Sequence, residues 1–116
     1  MADRKKSCEG RIDEELKYRI AEFRKAIEAE YPYKDDGYEY EDFIEWINSN
    51  SLALGDDPHY RAKKLELSWG GPQDYFLFFE DETIEYHFLD WFDGAKRELE
   101  GQDYKVMAEV KDSLGV

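Results

Sequence analysis

The apolar residues of this chain keep one period in its first third and another in its second half, and that change decides what the chain can fold into. Between Arg11 and Tyr31, Ile12, Leu16, Ile20, Phe23 and Ile27 recur at intervals of three and four, the stripe of an amphipathic helix. From Tyr60 onward the period shortens: Leu65, Leu67 and Trp69 alternate with Lys64, Glu66 and Ser68, as in a half-buried strand. Separate blocks of the two periods predict an α+β protein with helices layered on a sheet. A length of 116 residues suits one compact domain. We therefore expect a single α+β domain over 1–116, with residues 1–10 as a flexible lead-in.

The first helix, over Arg11 to Tyr31, is expected to stop at Tyr31-Pro32, because the residue before a proline is pushed out of the helical region. Lys34-Asp35-Asp36-Gly37 reads as a turn. Tyr40, Phe43, Ile44 and Ile47 place a second helix over Tyr38 to Asn48, and the stretch from Asn48 through Pro58 reads as loop. Strands follow around Leu65–Trp69, over Asp74–Glu80 and over Ile84–Phe88. The middle one is apolar on both faces and so lies centrally. Asp93-Gly94 reads as a hairpin turn into a short fourth strand. Val106, Met107, Val110 and Leu114 mark a last helix from about Gln102 to Leu114, with Gly115 as its cap. The expected architecture is two N-terminal helices, a three- to four-stranded antiparallel meander and a C-terminal helix packed on one face.

The charge is strongly segregated. The net charge is -13. Residues 35–57 hold Asp35, Asp36, Glu39, Glu41, Asp42, Glu45, Asp56 and Asp57 with no Lys or Arg, and residues 65–95 hold Glu66, Asp74, Glu80, Asp81, Glu82, Glu85, Asp90 and Asp93, again with none. Such a balance opposes direct binding to nucleic-acid phosphates or to an anionic membrane surface. It suits a basic partner instead, since complementary charge speeds encounter and fixes orientation. Carboxylates on a helix and adjoining strands approach the charge density of a duplex, about one per 1.7 Å, so a nucleic-acid-binding protein is the partner we expect.

Catalytic and metal motifs are missing from the pattern. One cysteine, Cys8, and two histidines, His59 and His87, make no zinc pattern and no internal disulfide. A cytoplasmic location and no cofactor are expected. Gly37 and Gly94 lack the acidic ligands that precede the glycine of an EF-hand loop, and Gly70-Gly71 is followed by no Gly-Lys-Ser/Thr. Ser68 lacks a nucleophile elbow. Of the aromatics, Trp46, Trp69, Trp91 and Phe92 compete for places in a small core, and Trp46, just off the stripe of its helix, is the candidate exposed anchor.

Leu67-Ser68-Trp69-Gly70-Gly71-Pro72, with Asp74-Tyr75-Phe76, Tyr86 and Asp90-Trp91-Phe92-Asp93-Gly94-Ala95, resembles a segment of small uncharacterised proteins from phages, prophages and related mobile elements. The resemblance spans about residues 65–100 and implies no activity. In size, charge and α+β character the chain is similar to small acidic inhibitors of host defence nucleases, among them anti-CRISPR proteins. The expected function is accordingly that of a non-enzymatic, anionic protein-binding module that mimics nucleic acid. Its expected binding residues are Asp35, Asp36, Glu39, Glu41, Asp42, Glu45, Trp46, Glu80, Asp81, Glu82, Glu85, Asp90 and Asp93. The alternative is a small carboxylate-dependent enzyme or metal-binding protein with a pocket formed by Glu85, His87 and Asp90.

Overall fold

Ser7 opens the first helix. Its side chain accepts the Gly10 N–H at 3.2 Å, satisfying one of the donors that a helix start leaves unpaired. The helix, α1, then runs Cys8–Glu28 in a computed structural model that describes residues 7–116. Ile12, Leu16, Ile20 and Phe23 are buried as their spacing predicts, and Cys8 and Ala26 extend the same stripe. This corrects the flexible lead-in for Cys8–Gly10, which is helical with Cys8 1% exposed; residues 1–6 of that expectation lie outside the described residues. The helix also stops short of Tyr31, since Ala29 is already extended.

The expected second helix begins instead as a hairpin. Strands β1 (Tyr33–Asp35) and β2 (Tyr38–Tyr40) pair antiparallel across Asp36 and Gly37, whose φ angles are 51° and 85°. Two successive left-handed residues make a type I′ turn, whose twist matches that of a hairpin and whose preferred pair is Asp-Gly. That local preference overrides the helical spacing of Tyr40 with Phe43 and Ile47. Helix α2 is confined to Phe43–Ser49, and the Asp42 carboxylate caps it by accepting the Glu45 N–H at 2.8 Å.

A five-stranded antiparallel sheet follows in chain order: β3 (Ala53–Asp56), β4 (Ala62–Ser68), β5 (Gln73–Phe79), β6 (Ile84–Asp90) and β7 (Asp93–Glu98). The meander thus exceeds expectation by its first edge strand, β3, where a loop was expected. Helix α3 (Gly101–Leu114) closes the chain, with Gly115 as its left-handed cap. Opposed residues share a face of a sheet, so the register assigns both faces. Leu65, Phe76, Tyr86 and Arg97 line up under the helices, and Glu66, Tyr75, His87 and Lys96 line up on the other side. Helices α1 and α3 pack on the first face around Phe76, Ile84, Tyr86, Phe88 and Met107.

Ionic contacts fix α1 across the sheet. Arg19 grips the buried Asp74 with two nitrogens at 2.7 and 3.0 Å. Asp74 also accepts the Tyr86 hydroxyl at 2.6 Å and the Ser68 hydroxyl. Arg11 donates to Asp90 at 2.7 Å, Arg97 of β7 reaches back to Glu9 and Asp13 at 2.9 Å each, and the Cys8 N–H donates to Asp93 at 2.7 Å.

Two loops at one end of the sheet depart from the expected pattern. A bulge between Glu66 and Ser68 shifts the register, which breaks the alternation and turns Trp69 away from the core. The last hairpin turns at Trp91-Phe92, with Asp90 opposite Asp93, and not at Asp93-Gly94. Asp93 is held in β7 by the N–H groups of Cys8 and Gly94 that its carboxylate accepts.

Candidate protein-binding surfaces

The acidic stretch from Asp35 to Glu45 forms one structural unit. Asp36 lies in the turn, Glu39 sits opposite Lys34 in the hairpin, Glu41 and Asp42 carry the chain into α2, and Glu45 follows in its first turn. Asp36, Glu39, Glu41, Asp42 and Glu45 are exposed, Asp35 is half-buried, and among the described residues none of the six forms an ion pair with Lys or Arg. The hairpin also walls an open groove of about 840 Å³, lined in part by Tyr18, Glu22, Asp35, Asp36, Tyr38 and Tyr40. Tyr18 and Tyr38 are largely exposed. Carboxylates alternating with tyrosine rings suit a guanidinium or ammonium group, by charge and by the ring quadrupole.

Trp46 is not the exposed anchor expected for this surface. It is 3% exposed, packs edge-on against Phe23 at 5.5 Å and stacks on Phe43 at 5.8 Å, and its Nε1–H donates to Asp35 at 3.2 Å. Its position off the stripe reflects the shortening of α2, which turns a different face inward.

The remaining expected residues do not join the hairpin in one surface. Glu80, Asp81 and Glu82 occupy the β5–β6 turn, where Glu82 pairs with Lys111 of α3 at 3.4 Å and the Thr83 N–H holds the Asp81 carboxyl below its ordinary range. Asp90 and Asp93 lie at the opposite end of β6, roughly 20 Å away along the strand. Asp90 is neutralised by Arg11, and the Cys8 N–H holds the Asp93 carboxyl low. The carboxylates of Asp81, Glu82, Asp90 and Asp93 are thus engaged within the fold.

Glu85 lies on the helix-free face with His87, whose Nε2 sits 2.9 Å from its carboxylate. His87 is buried and stacks on Tyr75 at 5.0 Å. The Lys64 ammonium lies 4.4 Å above the Tyr75 ring and 3.3 Å from Glu66. Burial raises the Tyr75 phenol above its ordinary range. Asp90 points to the helix side with Phe88 and Tyr86, so the three-residue pocket of Glu85, His87 and Asp90 is not assembled. Among the described residues no group of three or more His, Cys, Asp or Glu side chains is placed to hold a metal ion.

The exposed anchors sit elsewhere. Trp69, on the β4–β5 connection, is 75% exposed, Trp91 is 89% exposed and Phe92 is 104% exposed on the adjacent β6–β7 turn. Trp69 and Trp91 flank a groove of about 390 Å³ floored by Leu89 and Gln73. Trp91 has φ 58°, at the first of two loop positions, where a type II′ turn favours glycine. The fold gains neither burial nor relaxed backbone from a tryptophan there.

No family model, curated protein or solved structure matches this chain. Its function has to be read from these surfaces. Sequence reasoning weighed Trp69, Trp91 and Phe92 but assigned them to the core. The signal available was local: Trp69 precedes two glycines, and Trp91-Phe92 is bracketed by Asp90 and Asp93, both marks of turns. Among the described residues no helix is long and apolar enough to cross a membrane.

Proposed function

We propose that this protein is an anionic protein-binding module that engages a basic, nucleic-acid-binding partner through the β1–β2 hairpin and the start of α2, standing in for phosphate. One contrast carries the reading. Asp56, Asp74, Glu82 and Asp90 each have a cationic partner, whereas among the described residues none of the six carboxylates from Asp35 to Glu45 forms an ion pair, Lys34 standing opposite Glu39 in the hairpin without closing one. Like charges gathered without compensation cost stability in the free protein, and a cationic partner relieves that cost. The large exposed aromatics at the sheet's end support the same class of function, since tryptophan is over-represented among interface hot spots. The carboxylate-dependent enzyme remains the second reading, now reduced to Glu85 and His87 beside Lys64 and Tyr75.

The test is a triple charge reversal, Glu39→Lys, Glu41→Lys and Glu45→Lys, which spares the cap Asp42 and the hydrogen-bonded Asp35. Host proteins retained on a DNA column and then passed over the immobilised wild type are expected to bind at low salt, to elute as salt rises and to be displaced by DNA. The variant is expected to retain none of them. Equal retention by the variant and the wild type would remove the reading.

A further inference from the structure

We infer that the groove between Trp69 and Trp91 receives an arginine side chain of the basic partner, held by its guanidinium plane against the indoles. This rests on the reading above that the partner is basic, and it names what a second, separate site contributes.

Three observations point to this occupant. First, the groove lining of Trp69, Gly70, Gly71, Gln73, Leu89 and Trp91 contains no charged side chain. Nothing in it repels a cation, and no Lys or Arg is present to hold a phosphate. A chain of net charge -13 adds a field that draws cations and turns anions away. Second, this fold already seats its own cations on aromatic faces: Arg11 lies 4.8 Å from the Phe88 ring, Arg19 lies 5.9 Å from Tyr18, and Lys64 lies 4.4 Å from Tyr75. Among the described residues no such cation sits on Trp69 or Trp91, although tryptophan offers the strongest π-face for one. Third, the backbone is committed to presenting these rings. Gly70 at φ 79° turns the chain directly after Trp69, and Trp91 itself is left-handed. Strained, solvent-facing tryptophan is retained where the strain serves a site.

Arginine fits better than lysine on chemical grounds. The guanidinium is planar and weakly hydrated, so it stacks on indole with little loss of solvation, while its edge N–H groups remain free for an acceptor such as the Gln73 side-chain oxygen. A lysine ammonium is a strongly hydrated point charge, and the groove offers no carboxylate to replace its water.

The experiment uses the full chain and three short peptides that differ at one position type: Gly-Arg-Gly-Arg-Gly, the same peptide with lysine, and the same peptide with citrulline, which keeps the shape of arginine and removes its charge. The readout is the indole Nε1–H resonance of each tryptophan. Trp46 reports the other site, because its N–H donates to Asp35 of the hairpin. The arginine peptide is expected to shift Trp69 and Trp91 equally in the wild type and in the triple charge reversal, whatever Trp46 does. The lysine peptide is expected to shift them less and the citrulline peptide hardly at all. Trp69→Ala and Trp91→Ala should each weaken the arginine peptide by about two- to fivefold, the scale of one exposed cation–π contact.

Equal shifts with citrulline, no shift with any peptide, or shifts confined to residues 35–45 would each overturn the inference. The two claims fail separately. Basic proteins captured as tightly by Trp69→Ala and Trp91→Ala as by the wild type remove the groove and leave the hairpin reading intact. Arginine-specific shifts with capture unaffected by the triple charge reversal remove the hairpin and leave the groove.

Discussion

Arg19 and Asp74, 55 residues apart, meet under the sheet in a two-pronged ion pair at 2.7 and 3.0 Å. Asp74 is 2% exposed and also accepts from the Tyr86 and Ser68 hydroxyls, so its carboxylate has four donor atoms, while its own N–H donates to the Ser68 oxygen. Removing one partner of a buried pair strands the other. Arg19→Ala is expected to cost about 3–5 kcal/mol. Replacing both with apolar residues, Arg19→Met with Asp74→Leu, is expected to cost less than Arg19→Ala alone, and urea unfolding at neutral pH measures both.

Tyr86 makes stability depend on alkaline pH. Burial, reinforced by the hydrogen bond and charge of Asp74, drives its phenol well above the ordinary range. A folded-state value above the unfolded one of about 10 means that its contribution is complete below that pH and is lost as pH rises toward the folded value. Urea midpoints are expected to fall steeply above about pH 10 in the wild type. Tyr86→Phe should fall less steeply, from a starting stability lower by about 1.5–3 kcal/mol for a hydrogen bond to a charged group.

The three tryptophans should separate cleanly by stability. Trp46→Ala is expected to cost about 3–5 kcal/mol, as for a large buried side chain. Trp69→Ala is expected to stay within about 0.5 kcal/mol of wild type, as for an exposed site. Chemical denaturation decides between this and a core role for Trp69.

Trp91→Gly should not destabilise the fold and should raise its stability by up to about 1 kcal/mol, since it removes a side chain from a left-handed position. The same substitution is expected to weaken the arginine peptide at Trp69 as much as Trp91→Ala does. A variant more stable than wild type that has lost affinity would mark Trp91 as retained for contact and not for folding.

Much of the fold was legible because long segments keep one period. Ile12 to Phe23, Leu65 to Leu67, Ile84 to Phe88 and Val106 to Val110 all pack where their spacing places them. What was not legible turns on two-residue features. Asp36-Gly37 outweighed the helical spacing from Tyr40 onward, and Trp91-Phe92 took the turn that Asp93-Gly94 was expected to make. The bulge at Glu66–Ser68 is invisible to alternation, which assumes that no residue is skipped. The candidate surface was half legible for the same reason. Asp35 to Glu45 are contiguous and stay together however that stretch folds, whereas the separation of Glu80–Glu82 from Asp90 and Asp93 depends on which end of β6 each occupies.

The bond from the Cys8 N–H to Asp93 joins positions 85 apart in sequence, and it has a consequence for how the chain is made. A ribosome releases α1 well before β7, so the helix must wait for the whole sheet to emerge before its partners on the final hairpin exist. Its other end has earlier partners, since Phe23 packs on Trp46 of α2 and on Phe76 of β5. The tie at the start of α1 is therefore the last of its sheet contacts that synthesis makes possible, and the helix can be anchored from its far end first.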